Sequence, residues 1–167
     1  MTESVEDADP PYFITDEHLA VIGRIANAWS AMEFTVDETS WRLAKVPAMI
    51  GACMTAQMLA MGAKMRALIA LCELRGISED TLKKLRQFNG NKIAPLQERR
   101  NRTVHDYRLR NNATGEAVRL QITAQGPLVF DFHPEPTKDL DETRRKIEAA
   151  LREFILLRDA LIAEFAA

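Results

Sequence analysis

From Leu19 to Leu43 the residues Leu19, Ile22, Ala26, Trp29, Glu33, Val36, Ser40 and Leu43 follow one another at spacings of three and four without a slip. That period places one seam along an α-helix and cannot line one face of a strand, whose side chains alternate every second residue. A helix this long must lay its seam on other helices, and Thr15 or Asp16 stands where it would be capped. One member does not suit a core. Glu33 either sits at the rim, with Met32 turned inward by a slight rotation, or orients a cation or His105 from across a cleft.

The rest of the chain supplies partners for that helix. Pro47 ends it, and a second helix is expected from Met49 to Arg75, closed by Gly76 at a left-handed cap. Its Met49, Met54, Met58, Met61 and Met65 read as core packing beside Gly51, Ala52, Ala56, Ala60, Gly62 and Ala63, small residues that permit close helix approach, including between subunits. Lys64 and Arg66 are expected to be solvated or to lean toward the basic stretch described below. Ser78 caps a third helical region with Leu82, Leu85 and Phe88 on its apolar face. Asn89-Gly90-Asn91 and Pro95 predict a break or kink, so that helix resumes as a separate short piece ending near His105.

After the loop Asn111-Asn112-Ala113-Thr114-Gly115, Val118, Leu120 and Ile122 alternate with polar residues, and so do Leu128, Phe130 and Phe132 beyond Gly126-Pro127. This predicts a peripheral β-hairpin over about 117–132. A last helix, starting near Thr137 or Asp139, carries Leu140, Ile147, Leu151, Phe154, Leu161 and Phe165 inward. The expected fold is therefore mainly all-α, a four-to-five-helix up-down bundle with a small hairpin before the last helix. Residues 1–14 read as an acidic tail whose Pro10-Pro11-Tyr12-Phe13-Ile14 end packs on the body, and 15–167 as one domain.

Charge is distributed unevenly. Residues 1–17 hold six acids and no Lys or Arg, whereas residues 83–110 hold nine Lys or Arg against Glu98 and Asp106, a local excess of seven positive charges. A field of that size attracts polyanions even on a chain with a net charge of -2. Cys53 and Cys72, placed on one predicted helix, would stand roughly 28 Å apart and remain free thiols. With no basic-then-apolar order at the acidic start, the expected setting is the cytoplasm. The Met/Ala-rich run 47–63 contains Thr55 and Gln57 and stops at Lys64, which suits a buried helix better than a membrane span.

Chemistry concentrates in Glu98-Arg99-Arg100-Asn101-Arg102-Thr103-Val104-His105-Asp106-Tyr107. On a helix Asn101 and His105 lie about 40° apart in projection, and Arg100 about 140° from His105, within reach only through its long side chain. An imidazole can move a proton near neutral pH, a guanidinium can fork onto phosphate oxygens, and an amide can orient either, a set suited to a phosphodiester. The bland reading stands beside it: His105 as a helix C-terminal cation, Arg99, Arg100 and Arg102 as a solvated face paired with Glu98 and Asp106, and Tyr107 as cover for the helix end. Elsewhere there is no Gly-rich phosphate loop, no nucleophile elbow, and no grouping of His18, His105 and His133 with paired cysteines, so no metal or other cofactor is expected.

The run Arg100-Asn101-Arg102-Thr103-Val104-His105 resembles the R-x-x-x-x-H signature of the HEPN superfamily, all-α proteins that carry it at a helix end with a polar residue in second place. The order of elements is similar too, although the hairpin before the last helix departs from the pattern. The resemblance implies a homodimer and, in active members, a metal-independent endoribonuclease. His105 would transfer the proton for attack of a ribose 2′-hydroxyl, Arg100 would stabilise the phosphate, Asn101 would orient either, and Glu33 and Arg102 would support them. Extended to Tyr107, the motif is similar to HEPN toxins paired with a nucleotidyltransferase-type antitoxin that modifies the tyrosine. The implied partners are RNA, a second copy and such an antitoxin, with no membrane. The alternative is a non-catalytic HEPN-like module that binds RNA or nucleotide, or only dimerises.

Overall fold

The computed structural model describes residues 14–111, 113–123 and 128–166. The proposed packing of Tyr12 and Phe13 and the Gly126-Pro127 turn lie outside the described residues. The elements are α1 (Asp16–Ala44), α2 (Ala48–Thr55), α3 (Met61–Leu74), α4 (Glu79–Phe88), a π-helical turn (Asn89–Ile93), α5 (Ala94–His105), β1 (Tyr107–Arg110), β2 (Ala117–Thr123), β3 (Val129–Pro134) and α6 (Thr137–Ala166). The protein is mainly helical, with a small antiparallel sheet before the last helix, as the sequence predicts. No helix among the described residues is long and apolar enough to cross a membrane.

Helix α1 is the axis of the molecule. Thr15 caps it, its hydroxyl accepting from the His18 backbone N–H, and Lys45 ends it at φ 59°. The helix is rotated slightly from the predicted seam. Val21, Ile25, Ala28, Trp29, Met32, Val36 and Leu43 are buried, whereas Leu19 is 47% exposed. Met32 is inward and Glu33 is at the rim, the first of its two readings. Burying a side chain such as Met32 contributes about 1.5–3 kcal/mol. Around α1 pack α6, α3, α2 and α5. The shared core includes Trp29, Leu85, Ile147 and Phe154, with Phe88 stacked on Phe154 at 5.7 Å between ring centroids.

Two predictions about helices need correction. Residues 49–75 are not one helix: α2 stops at Thr55, and Ala60 is extended before α3 begins. Gly51 lies so close to the Trp41 indole that an added Cβ would fall 2.3 Å from Cγ, while Thr55 Oγ1 bonds Gly51 O at 3.2 Å and accepts from Trp41 Nε1 at 3.3 Å. These contacts tie a short helix to α1. Helical spacing, being local, cannot register that attachment. The methionines divide accordingly: Met61 and Met65 are core, and Met49 and Met54 are exposed. Cys53 and Cys72 sit on different helices and are free, so the single-rod distance does not apply.

The expected interruption at 89–95 is present, but not as a break in the helix. A π-helical turn carries α4 directly into α5, and Pro95 falls in the first turn of α5, where its missing N–H is tolerated. The motif is therefore carried on helical backbone that runs on from α4, not on a separate piece, and Leu82, Leu85 and Phe88 of α4 are buried as predicted.

The hairpin has a third strand. In the order β1-β2-β3, Tyr107 pairs Leu120, which pairs Phe132, and Ile122 pairs Phe130. Tyr-Arg-Leu-Arg is too short and too basic to announce a strand by composition. Partnered residues share a face, so Tyr107, Leu120, Ile122, Phe130 and Phe132 lie on one side and Arg108 and Arg119 on the other. The charged side faces the bundle. Arg108 is buried and paired to Glu135 at 2.5 Å; Arg119 bridges Asp106 at 2.6 Å and Glu135 at 3.2 Å. His18 joins through Nε2 to the Glu135 carbonyl at 3.1 Å. This network fastens the sheet to α1 and to the end of α5.

Candidate functional site

Helix α5 is positioned from three sides. Leu96 and Thr103 are buried, the Thr103 hydroxyl bonding Arg99 O at 2.9 Å. The Gln97 amide oxygen accepts from the Gly62 backbone N–H at 3.1 Å and so ties α5 to the first turn of α3. Asp106 is extended and closes the helix, its N–H bonded to Arg102 O. Gln97, Asn101 and His105, four residues apart, then form a slowly turning stripe. Asn101 and His105 are exposed on it.

Arg100 lies round the helix toward the core side. It is partly buried, its Nε is enclosed without a hydrogen-bond partner, and its Nη1 donates to Asn101 Oδ1 at 3.1 Å. The structure thus brings Arg100 and Asn101 together. Among the described residues no hydrogen bond joins His105 to either. Arg102 forms an i,i+4 ion pair with Glu98 at 2.8 Å. The Glu33 carboxylate accepts from Trp29 Nε1 at 2.9 Å and makes no hydrogen bond to His105 among the described residues. Tyr107, 53% exposed, stands two residues beyond His105 on the outer face of the sheet.

The basic field counted from the sequence is weaker in space. Lys84 pairs with Asp80, Arg86 with Glu73 and Glu79, Lys92 with Glu153, Arg102 with Glu98 and Arg108 with Glu135. Five of those acids, Glu73, Glu79, Asp80, Glu135 and Glu153, come from outside the 83–110 stretch, so a local charge count misses them. Arg100 has no carboxylate partner among the described residues. Lys64 is not solvated: it pairs with Asp37 at 2.5 Å, both largely covered. Arg66 is exposed and lies near the Gly62–Gln97 contact, since a Cβ on Gly62 would meet Arg66 Nη1 at 3.6 Å and Gln97 Oε1 at 3.7 Å.

Two clefts lie near these elements. One, of about 140 Å³, is bordered by Arg99, Arg102, Thr103, Arg119, Glu135 and Asp139, roughly opposite on α5 to the Asn101–His105 stripe. The other, of about 170 Å³, has Trp41, Met54, Met58 and Leu71 around the Lys64–Asp37 pair. Neither is lined by Arg100, Asn101 or His105, and Asn101 and His105 are exposed at the helix end. Sequence reasoning missed Glu135 and the Lys64–Asp37 pair. Asp37 follows directly on the seam residue Val36, a place where a carboxylate needs a cation. Among the described residues no three His, Cys, Asp or Glu side chains converge as a metal-ligand set.

No protein-family model matches the chain, and no curated protein or solved structure is detectably similar to it.

Proposed function

We propose that this is a HEPN-type, metal-independent endoribonuclease acting as a homodimer. The observation that carries the reading is Arg100: partly buried, tied to Asn101 and without a carboxylate partner, it retains guanidinium donors for an anion at the helix end that presents His105. Charge-assisted bonds from such a group are the kind that hold a phosphate. His105 accepts the proton of a ribose 2′-hydroxyl as its oxygen attacks phosphorus, and a protonated imidazole returns a proton to the departing 5′-oxygen. Arg100 offsets the charge gathering on the phosphate oxygens, and Asn101 holds the guanidinium in place. General acid–base transfer of this kind contributes typically 10²–10⁴-fold, and electrostatic stabilisation a further large share.

The motif is open on one protomer, so the reading requires a second copy to complete a cleft. A companion nucleotidyltransferase-type antitoxin acting on Tyr107 and the toxin role follow the same resemblance, and the cytoplasmic setting rests on the two free cysteines. Incubation of purified protein with single-stranded RNA in EDTA tests the proposal. Cleavage should occur and be lost in His105→Ala; cleavage unaffected by that change would exclude the assignment.

A second reading, a non-catalytic RNA-binding or dimerisation module, is favoured by one observation: Lys84, Arg86, Lys92, Arg102 and Arg108 of the basic stretch are already paired. It predicts salt-sensitive RNA binding without turnover. No affinity at low salt would remove its RNA form.

A further inference from the structure

The sheet is mounted with its charged face inward and its apolar face outward. Phe130 is 60% exposed, Phe132 57%, Ile122 55% and Tyr107 53%. Leu120, between Tyr107 and Phe132 in the ladder, joins these side chains into a continuous surface. The sheet cannot turn over to bury them, because Arg108, Arg119, Glu135 and Asp106 hold its other side to the bundle through largely covered ion pairs. With aromatic side chains of 150–250 Å² each, the exposed part amounts to roughly 500 Å². That is the upper range of patches seen on monomers, and such patches commonly mark interaction sites.

We infer that this face docks on the same face of a second copy of the chain, sheet against sheet about a two-fold axis. The chemistry selects the occupant. No Lys, Arg, Asp or Glu lies on this face, so it offers nothing to a phosphate backbone or to a charged peptide. Charge-depleted, aromatic-rich surface is what the centre of a homodimer interface contains. An isologous contact needs only that a patch complement itself, and a nearly planar array of Phe and Ile does so by ordinary sheet-on-sheet packing. Roughly 500 Å² of apolar core with a polar rim approaches the ~800 Å² per partner of a stable interface.

The inference deepens the homodimer reading above by naming its surface, and rests on the ribonuclease reading only for what the dimer does. Tyr107, on the edge strand β1, lies at the rim of the contact two residues from His105, so the interface adjoins the end of α5 and places partner surface beside the motif.

Sedimentation of the full chain at micromolar concentration tests it. The protein should be a dimer, and F130E/F132E should raise the dissociation constant at least ~100-fold, because carboxylates would be buried at the interface centre. Circular dichroism should be unchanged, both sites being exposed. Should the double variant not fold, Ile122→Lys, a single exposed site, carries the same expectation. M49E/M54E, at exposed apolar positions of α2, should remain dimeric. A wild-type monomer, including one that dimerises only after residues 1–13 are removed, overturns the inference. So does a dimer indifferent to F130E/F132E. A sheet-mediated dimer without RNA turnover leaves it standing and removes the ribonuclease reading alone.

Discussion

The Arg108 guanidinium and the Glu135 carboxylate meet at 2.5 Å with side-chain exposures of only 6% and 12%, and they join the strand after the motif to the start of α6. Glu135 also accepts from Arg119, which holds Asp106, the residue that closes α5. Replacing Glu135 by Gln should leave Arg108 buried without its counter-charge and destabilise the fold by about 3–5 kcal/mol. Chemical denaturation would measure it; a loss below about 1 kcal/mol would show that the network does not hold the sheet.

Gly51 and Trp41 make a comparably specific contact. A methyl at 51 would overlap the indole, and Trp41 and the backbone of α2 cannot both stay in place. Gly51→Ala should cost about 1–3 kcal/mol as the helix shifts and should alter tryptophan fluorescence. Unchanged emission and stability would mean that α2 is not seated on Trp41.

The two cysteines should differ sharply in reactivity. Burial, reinforced by Glu164 and Glu73, pushes the Cys72 thiol up to about 12, and Cys53 is exposed. A thiol reagent at neutral pH should titrate one cysteine rapidly in the native protein and two in denaturant. Cys53→Ser should leave no fast-reacting thiol.

Glu164 of α6 accepts a hydrogen bond from the Ser78 backbone N–H at the start of α4. This bond, helped by the Ser78 hydroxyl, holds the carboxyl below its ordinary value of 4.5. A depressed folded pKa means that the associated stability is fully present above the unfolded value and is lost as pH falls through the folded one. Wild type should therefore exceed Glu164→Gln in Tm near neutrality, and the gap should close below pH 4.5. A gap constant down to pH 2 would contradict this.

How much of this could be read from the sequence depends on how local each cause is. The caps at Thr15 and Ser78, the buried Leu82, Leu85 and Phe88, and the inner face of α6 follow from spacing and neighbouring residues. The break after Thr55 depends on Trp41, fourteen residues earlier, and β1 on its pairing with β2. At the site, the Arg100–Asn101 contact lies between neighbours and was accessible. The pairing of Arg86 by Glu73 and of Lys92 by Glu153 was not, since the acids arrive from other helices. The outward apolar face of the sheet was equally hidden: alternation showed that the strands have two faces, and only the distant Glu135 decides which faces the bundle.

Metal-independent cleavage through a 2′-hydroxyl, with His105 in proton transfer, can be assayed on a single-stranded oligoribonucleotide and its fully 2′-deoxy counterpart, both in EDTA. Wild type should cleave only the ribose form and leave cyclic 2′,3′-phosphate ends, and His105→Ala should lose at least ~10²-fold in rate while remaining a dimer. Cleavage of the deoxy substrate, or a His105→Ala rate equal to wild type, would rule out this chemistry.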